Sequence, residues 1–380
     1  MKKILYVGMD VHKESITVAT AWGTDLSTGC IPDEVRLVGT IPNTTAAVDN
    51  AIRKLVGTGA VPRFVYEAGP GGYTLYRHIT ASGFTCMVAA PSLIPRKPGD
   101  RVKTDGRDAV MLARLFRSGE LTEVYVPSEE DEAIRDLFRT RCDVKNLERK
   151  AKQFLLSFLL RQGVRYSGAT NWTKIHFAWL DALSLPQPAH QLALQEYIDT
   201  VKHCGVRVQH IDAMLLQEAQ TWSGLPLARA LQSFRGISFL SALGLAAELG
   251  DIRRFANPRQ LMSYVGLVPS EYSSGESKRR GRLTKMGNTH ARWLLVEAAW
   301  SYRLNARKSA ALLQRQKDVE QEVLAISWKA QVRLCSRYQR LLHRGKPKNK
   351  VIACIARELT GFIWAVGQLP ALGREKAISQ

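Results

Sequence analysis

Four carboxylates in the first third of the sequence have the types and spacing of a site for divalent metal ions. Asp10 and Glu67 each follow a short apolar run, and Asp105 and Asp108 lie three residues apart, which places both on one face of a helix. Magnesium prefers oxygen ligands. Two such ions about 3.5–4 Å apart can clamp the attacking and leaving oxygens of a phosphodiester. The four acids are therefore candidates for metal-dependent chemistry on nucleic acid.

Each carboxylate also has a structural interpretation that involves no metal. Asp105 could cap the helix that it opens, and Asp108 could pair with a neighbouring arginine. Glu67 could be an ordinary surface acid. Asp10 is the hardest to explain in this way, because it follows an apolar strand directly. The metal-ligand interpretation is stronger for the four acids as a set than for any one of them, because ligands bind where strands end in sheets of this kind.

The residues around these acids predict alternating strands and helices from residue 4 to about 126. Apolar and alternating runs indicate strands, and a 3.6-residue periodicity indicates helices. Three strands come first, and later strands are separated by helices, which predicts a mixed sheet with helices packed on it. The predicted strands are 4–9, 15–22, 34–41, 64–66 and 85–90, and the predicted helices are 44–56, 73–81 and 104–118.

The remaining sequence is mainly helical. Ser128 and the acids after it start a long amphipathic helix, and a second long helix follows an interruption from Gly163 to Pro188. The two helices predict an antiparallel pair or a coiled coil, and an ordinary bundle stays an equal alternative to a dimerising or nucleic-acid-spanning role. Shorter helices and a polar, basic segment from Ser270 to Asn288 follow. The predicted domains are 1–126 (α/β), 127–225 (helical, coiled-coil) and 226–380 (helical).

The composition favours a polyanionic partner. The chain of 380 residues has 54 Lys and Arg against 34 Asp and Glu, a net charge of +20. Residues 275–350 hold 19 of these basic residues and five acids, so the charge is concentrated. Nucleic acid is the first partner that this predicts, and an anionic membrane surface is the second. No apolar run reaches the ~18–20 residues of a membrane span, and the six cysteines form no C-x-x-C pair, which favours the cytoplasm.

Three motifs in the first part of the chain carry a family resemblance. They are Gly8-Met9-Asp10-Val11-His12-Lys13, Tyr66-Glu67-Ala68-Gly69 and Lys103-Thr104-Asp105-Gly106-Arg107-Asp108-Ala109. The pattern resembles the ribonuclease-H-like domain of the RuvC resolvases, and more closely the DEDD transposases of the IS110 family, which include the Piv invertases. The resemblance implies a RuvC-like domain that binds Mg²⁺, as two ions, with Mn²⁺ as a substitute. The ligands that it implies are Asp10, Glu67, Asp105 and Asp108.

The resemblance extends to the C-terminal transposase domain of that family, through Gly266-Leu267-Val268-Pro269, Tyr272-Ser273-Ser274-Gly275 and Gly281 to Asn288. It implies that Ser274 is a nucleophile. From the residues alone, a flexible basic loop with serines as polar filler is the favoured alternative. One departure is Arg235 to Ser238, where the family has Pro-Gly-Ile-Gly, which counts against a helix-hairpin-helix contact to DNA. The basic residues expected to hold nucleic acid are Lys278, Arg279, Arg280, Arg282, Lys285, Lys346 and Lys348.

Together these features predict an insertion-sequence transposase of a bacterial or archaeal cytoplasm, associated with the nucleoid. The resemblance implies cutting and rejoining of donor and target DNA through a composite site of metal-bound acids and a covalent phosphoserine. It also implies an element-encoded bridge RNA as guide, and a homo-oligomer, a dimer or a tetramer. Two alternatives remain: a RuvC-like nuclease or junction resolvase that only hydrolyses DNA, and a degenerate protein that binds nucleic acid without chemistry.

Overall fold

A computed structural model describes residues 3–23, 35–95, 104–274 and 277–372. The chain divides into two compact units, Met1–Val126 and Pro127–Gln380. The division of the chain into three functional domains, with a boundary at about residue 225, stays a prediction. No helix in the described residues is long and apolar enough to cross a lipid bilayer.

The first unit contains a five-stranded sheet in the order β3-β2-β1-β4-β5. The first three strands form an antiparallel meander, and β4 and β5 continue the sheet parallel to β1. This mixed pattern is the one predicted from the sequence, where strands without helices between them precede strands that alternate with helices. The strands are β1 Ile4–Val11, β2 Ser15–Trp22, β3 Val35–Pro42, β4 Val61–Glu67 and β5 Thr85–Ala89, and the helices are α1 Thr45–Val56, α2 Thr74–Ala81 and α3 Asp105–Ser118.

Both faces of this sheet are covered, which explains the apolar character of its central strands. Leu5, Val7 and Met9 belong to a core that includes buried residues of α1 and α2. The opposite face packs against α3, where Ala109 and Ala113 are fully buried. This is the arrangement expected of a ribonuclease-H-like domain, so the α/β class predicted for the first part of the chain is confirmed.

In the second unit, two long helices form an antiparallel pair. Ser128 accepts a hydrogen bond from the Asp131 amide at 3.1 Å and caps the first of them, as the sequence predicted. Near one end of the pair Arg141 bonds Asp212, and further along the ring of Phe158 lies 5.3 Å from that of Tyr197. The two helices are α4 Glu129–Arg161 and α6 Pro188–Glu218. The interruption between them is not free of regular structure, because it contains α5 Lys174–Asp181.

The rest of the second unit is helical around one large apolar core, and a two-stranded hairpin departs from it. For the basic segment from Ser270 to Asn288, a flexible loop is the alternative that the residues alone favour, but most of the segment lies in the strands of this hairpin, so that alternative is wrong. Its strands are β6 Pro269–Ser274 and β7 Ser277–Leu283. The helices are α7 Leu225–Leu231, α8 Phe239–Leu249, α9 Pro258–Tyr264, α10 Thr289–Ala299, α11 Ala310–Arg315, α12 Gln321–His343 and α13 Lys348–Gly367.

Candidate active site

Two of the predicted acids lie at adjacent positions on neighbouring strands. Met9 of β1 is paired with Tyr66 of β4 in the parallel register, so the next residues along the strands are Asp10 and Glu67. Because successive side chains of a strand alternate between faces, Asp10 and Glu67 point away from the Met9 and Tyr66 face and toward the α3 side. The sequence prediction that these two acids meet at one end of the sheet agrees with this register.

The third element of the site is α3, which packs unusually close to β1. A Cβ atom on Gly8 would lie 2.3 Å from the carbonyl oxygen of Ala109 and 2.4 Å from the amide nitrogen of Ala113. Only a glycine therefore permits this approach of helix to strand. It brings the first turn of α3, with Asp105 and Asp108, to the end of β1 that carries Asp10.

The cap of α3 bears on the alternative interpretation of Asp105. Thr104 has an extended backbone, and its hydroxyl accepts a hydrogen bond from the Arg107 amide at 3.4 Å. Thr104 is thus the N-cap, and Asp105 is the first residue inside the helix. The proposal that Asp105 serves only as a cap is wrong, and its carboxylate is available for another role, with 60% of the side chain exposed.

His12 joins the acids, although the sequence did not single it out. Its Nε2 atom lies 3.2 Å from Asp10 Oδ2 and 3.5 Å from Asp105 Oδ1. One ligand atom from each of Asp10, His12 and Asp105 lies within 4.8 Å of the other two, a cluster that includes neither Glu67 nor Asp108. The spacing in the sequence signals only that His12 can lie on the same side of the chain as Asp10, not that it reaches Asp105.

The acids act on one another electrostatically. Burial raises the pKa of Asp10 above its usual value, and His12 opposes this rise. The negative charges of Asp108 and Asp105 raise the same pKa further. Asp108 is thus close enough to Asp10 to influence it, although it is outside the tight cluster. A cation bound among these groups would relieve both the burial cost and the repulsion.

The donor set fits a hard divalent cation. Asp10 has only 18% of its side chain exposed and shares its surroundings with two further carboxylates. Carboxylate oxygens suit Mg²⁺ and Mn²⁺, whereas imidazole suits softer metals. His12 is therefore better suited to position these acids, through its hydrogen bond with Asp10 and its proximity to Asp105, than to bind the metal itself. Of the four acids that the resemblance implies as ligands, the structure brings Asp10 and Asp105 into one cluster. Asp108 acts on Asp10 electrostatically, and Glu67 follows at the next position of the neighbouring strand.

Ser274 is the last residue of β6, where its backbone is paired with Ser277 of β7. The side chain of Ser274, like those of Lys278, Arg279 and Arg280, lies outside the described residues. Arg282, Lys285, Lys346 and Lys348 are exposed.

Close backbone contacts hold the base of this hairpin. The Thr284 amide donates to Val268 at 2.9 Å, and the Asn288 amide donates to Tyr264 at 2.9 Å, so the two flanks run side by side. Gly287 has φ +79°, and a Cβ atom there would lie 2.0 Å from the Tyr264 carbonyl oxygen. The flanks of the hairpin are therefore fixed to each other by contacts that a larger residue at position 287 would break.

A buried polar network ties these flanks to the helical core. The Glu248 side chain of α8 is fully buried and accepts two hydrogen bonds from Arg139, at 2.8 and 2.9 Å. Asn288 donates to Glu248 Oε2 at 2.7 Å and caps α10. The Tyr264 hydroxyl donates to the Glu248 carbonyl oxygen at 3.3 Å. One buried acid thus contacts residues on both sides of the hairpin.

The turn from Arg235 to Ser238, which departs from the family pattern, serves packing inside the unit. Gly236 has φ +85°, and a Cβ atom there would lie 2.5 Å from the Ala298 carbonyl oxygen of α10. Ser238 accepts a hydrogen bond from the Ser241 amide at 3.2 Å and caps α8. These contacts explain the glycine and the serine without a contact to DNA.

Comparison with known proteins places the chain in a family. Residues 7–162 match the family model of DEDD transposases of the IS110 type, and residues 228–314 match that of the transposase IS116/IS110/IS902 family. A putative transposase, y4qE, of Sinorhizobium fredii is 43% identical over 363 residues, which cover 96% of this chain and 88% of that protein. The transposase for insertion sequence element IS1533 of Leptospira borgpetersenii is 31% identical over 92% of this chain and 99% of its own length. The chain belongs to the IS110 family of insertion-sequence transposases.

Proposed function

We propose that this transposase cuts and rejoins DNA strands with divalent metal ions bound by Asp10, Glu67, Asp105 and Asp108 and with Ser274 as the nucleophile. The observation that carries the metal site is the meeting of Asp10 with Asp105, which come from elements far apart in sequence. Asp108 raises the pKa of Asp10, and Glu67 stands at the next position of the adjacent strand. This set of acids supports a site for Mg²⁺, with Mn²⁺ as a substitute.

Membership of the family implies an enzyme that acts on DNA and uses a divalent metal. When bound, the metal would neutralise charge on the scissile phosphate and activate the attacking oxygen. Asp10 and Glu67 would hold it from the sheet, and Asp105 and Asp108 from the first turn of α3. His12 would keep Asp10 in position through its hydrogen bond, and it lies 3.5 Å from Asp105.

The covalent step conserves phosphodiester bonds. Ser274 Oγ attacks the phosphorus atom, and a new O–P bond forms as the bond from phosphorus to a deoxyribose oxygen breaks. The serine proton leaves to a base, and the departing sugar oxygen gains a proton. A deoxyribose hydroxyl of the other DNA partner then attacks the phosphoserine and restores the serine. Strand exchange by this route needs no nucleoside triphosphate.

The partners of the reaction are proposed to be donor and target DNA, an element-encoded bridge RNA, and further copies of the chain in a dimer or tetramer. The excess of basic residues between 275 and 350 supports the polyanionic partners. To test the guide, the gene is expressed together with the DNA that flanks it, the protein is purified, and the RNA that copurifies with it is sequenced. A preparation that is active and contains no RNA would contradict this part of the proposal.

The central experiment separates strand transfer from hydrolysis. Ser274→Ala and Asp10→Ala are each expected to lower strand transfer by at least about 10³-fold, as for other residues that act as a unit in catalysis. The wild type should form a protein–DNA adduct that survives denaturation, and Ser274→Ala should form none. Ser273→Ala, which changes the neighbouring residue of β6, is the matched control and should keep activity and adduct. A Ser274→Ala protein that still cuts DNA would establish the hydrolytic nuclease instead.

A further inference from the structure

The second unit contains a basic cleft that none of the residues assigned to catalysis lines. It is formed by α4 and α10, and its volume is about 780 Å³. We propose that this cleft binds unpaired nucleotides of a single nucleic-acid strand, with a base stacked on Trp293 and phosphates held by Arg149 and its neighbours. The inference rests on the proposed function in one respect, the choice of nucleic acid as the partner.

The wall of the cleft formed by α4 is positively charged. Four basic residues line it, and the acids among the lining residues are Glu148 and Glu297. The buried Glu148 is held by Lys145 at 2.7 Å and by Lys152 at 2.5 Å, so two ammonium groups remain beside a single carboxylate. The four basic residues are Arg141, Lys145, Arg149 and Lys152.

Arg149 is the basic residue of this wall that can bind an anion from outside the protein. Arg141 is already bonded to Asp212, whereas the exposed Arg149 has no acidic partner within the described residues. An arginine in this state presents several N–H donors in a fixed plane, which suits a phosphate group. The cleft therefore offers a charged group that the protein itself does not satisfy.

The opposite wall presents an aromatic ring. Trp293 of α10 lines the cleft and is 48% exposed, although the next two residues of the helix, Leu294 and Leu295, are buried in the core. Within the described residues, no other aromatic ring contacts the Trp293 ring. An aromatic face beside basic groups is the combination that binds single strands without sequence preference. Bases in a duplex are already stacked on each other, so the ligand must be unpaired.

The start of α10 adds to the preference for an anion. Asn288 caps this helix, and Thr289 and His290 of its first turn line the cleft. The N-terminal end of a helix carries a partial positive charge. Together with Arg149 and Trp293 it gives the cleft both parts of a nucleotide site, one for phosphate and one for base.

Binding of a labelled single-stranded 20-mer to the full chain, measured by fluorescence anisotropy in EDTA, tests the proposal. Trp293→Ala is expected to weaken binding about 5- to 100-fold through loss of stacking, and Trp293→Phe should retain most of the affinity. Arg149→Gln should lower the slope of log Kd against log salt concentration by about 0.7, the value for one phosphate contact of a single strand. DNA and RNA 20-mers of the same sequence, assayed separately, identify which strand the cleft prefers.

Trp328→Ala is the matched control. Trp328 of α12 is 38% exposed, and Lys308 lies 5.3 Å from its ring centroid, but it does not line the cleft. This variant should bind the 20-mer as the wild type does, and duplex DNA should bind equally to wild type and Trp293→Ala. Equal losses for Trp293→Ala and Trp328→Ala, a parallel loss of duplex binding, or no loss for Trp293→Ala in a protein of unchanged melting temperature would each overturn the proposal.

The assay is also independent of the catalytic proposal. Binding is measured in EDTA, without the divalent ions that the proposed strand transfer requires, and none of the proposed catalytic residues lines the cleft. If the cleft binds as expected but no strand transfer depends on Ser274, the proposed chemistry fails and the cleft stands. If strand transfer depends on Ser274 but Trp293→Ala binds normally, the cleft proposal fails and the chemistry stands.

Discussion

The acids of the first unit lie at the end of a sheet that apolar packing holds in place. The hairpin of the second unit, in contrast, is anchored by hydrogen bonds between the segments that precede and follow it. Around Asp10, the decisive contact is the close approach of β1 and α3 at Gly8. Around the hairpin, it is the network of the buried Glu248 with Arg139 and Asn288. The two sites differ in what holds them.

This difference determines how each site should fail. Apolar packing is sensitive to volume, so a single added methyl group can shift a helix. A buried polar network is sensitive to the loss of one partner, because the remaining charge is left without compensation. Substitutions of each kind should therefore damage one site and leave the other intact.

Among substitutions outside the proposed catalytic residues, the largest effect on activity is expected for Gly8→Ala. The new methyl group would overlap Ala109 and Ala113 of α3, so the helix must move away from β1 and carry Asp105 with it. We expect destabilisation by about 1–3 kcal/mol and a fall in strand transfer of about 10²-fold, the cost of a displacement near 1 Å at an active site. Thermal unfolding and a strand-transfer assay measure the two effects.

Gly71→Ala is the control for this substitution. Gly71 lies in the same unit, and a Cβ atom there would meet nothing within 4 Å. The Gly71→Ala protein should keep both its stability and its activity. A Gly8→Ala protein with wild-type strand transfer would show that the contact between β1 and α3 does not position the acids.

Glu248→Ala should be the most damaging change in the second unit. It removes the partner of two hydrogen bonds from Arg139 and one from Asn288, so the expected destabilisation is about 3 kcal/mol. Asp181→Ala breaks the exposed pair with Lys202 in the same unit and should cost about 0–1 kcal/mol. Denaturant unfolding gives both values. Equal effects of the two substitutions would contradict the role of the buried network.

The sequence predicts the positions of Asp10 and Glu67 from local patterns, and their role as metal ligands stays a prediction. Asp10 and Glu67 follow apolar strands that pair in parallel, and parallel strands end on the same edge of a sheet. The contribution of His12 was missed because it depends on how the chain turns after β1, where the His12 amide donates to Ser15 at 2.8 Å. Only the folded turn brings the imidazole to Asp105.

The hairpin and α5 were missed for a different reason. The strands on either side of residues 275–276 are polar and basic, without the apolar alternation that predicts a strand. Their stability comes from flanking contacts such as Asn288 with Tyr264, which no local pattern contains. In α5, the fully buried His176 packs among aromatic rings, including that of Trp179 at 5.6 Å, which again is a tertiary effect.

Divalent cations should stabilise the first unit and leave the second unit unaffected. The pKa of Asp10 is raised in the fold, chiefly by burial, so the protonated acid is the form that the fold favours. This contribution is complete below the ordinary aspartate pKa of about 3.9 and is lost as the pH rises through the raised value. At neutral pH the ionised carboxylate therefore destabilises the metal-free protein, and a bound cation offsets that cost.

At a concentration of 100 times its Kd, Mg²⁺ should add about 2.7 kcal/mol to the free energy of unfolding at pH 8. At pH 5 it should add clearly less, because protons compete for the same oxygens. Asp10→Asn should raise the melting temperature of the metal-free protein slightly and remove its response to Mg²⁺, while Glu248→Ala should keep that response. Differential scanning calorimetry with Mg²⁺ and with EDTA resolves these cases, and an Asp10→Asn protein that Mg²⁺ still stabilises would place the cation elsewhere.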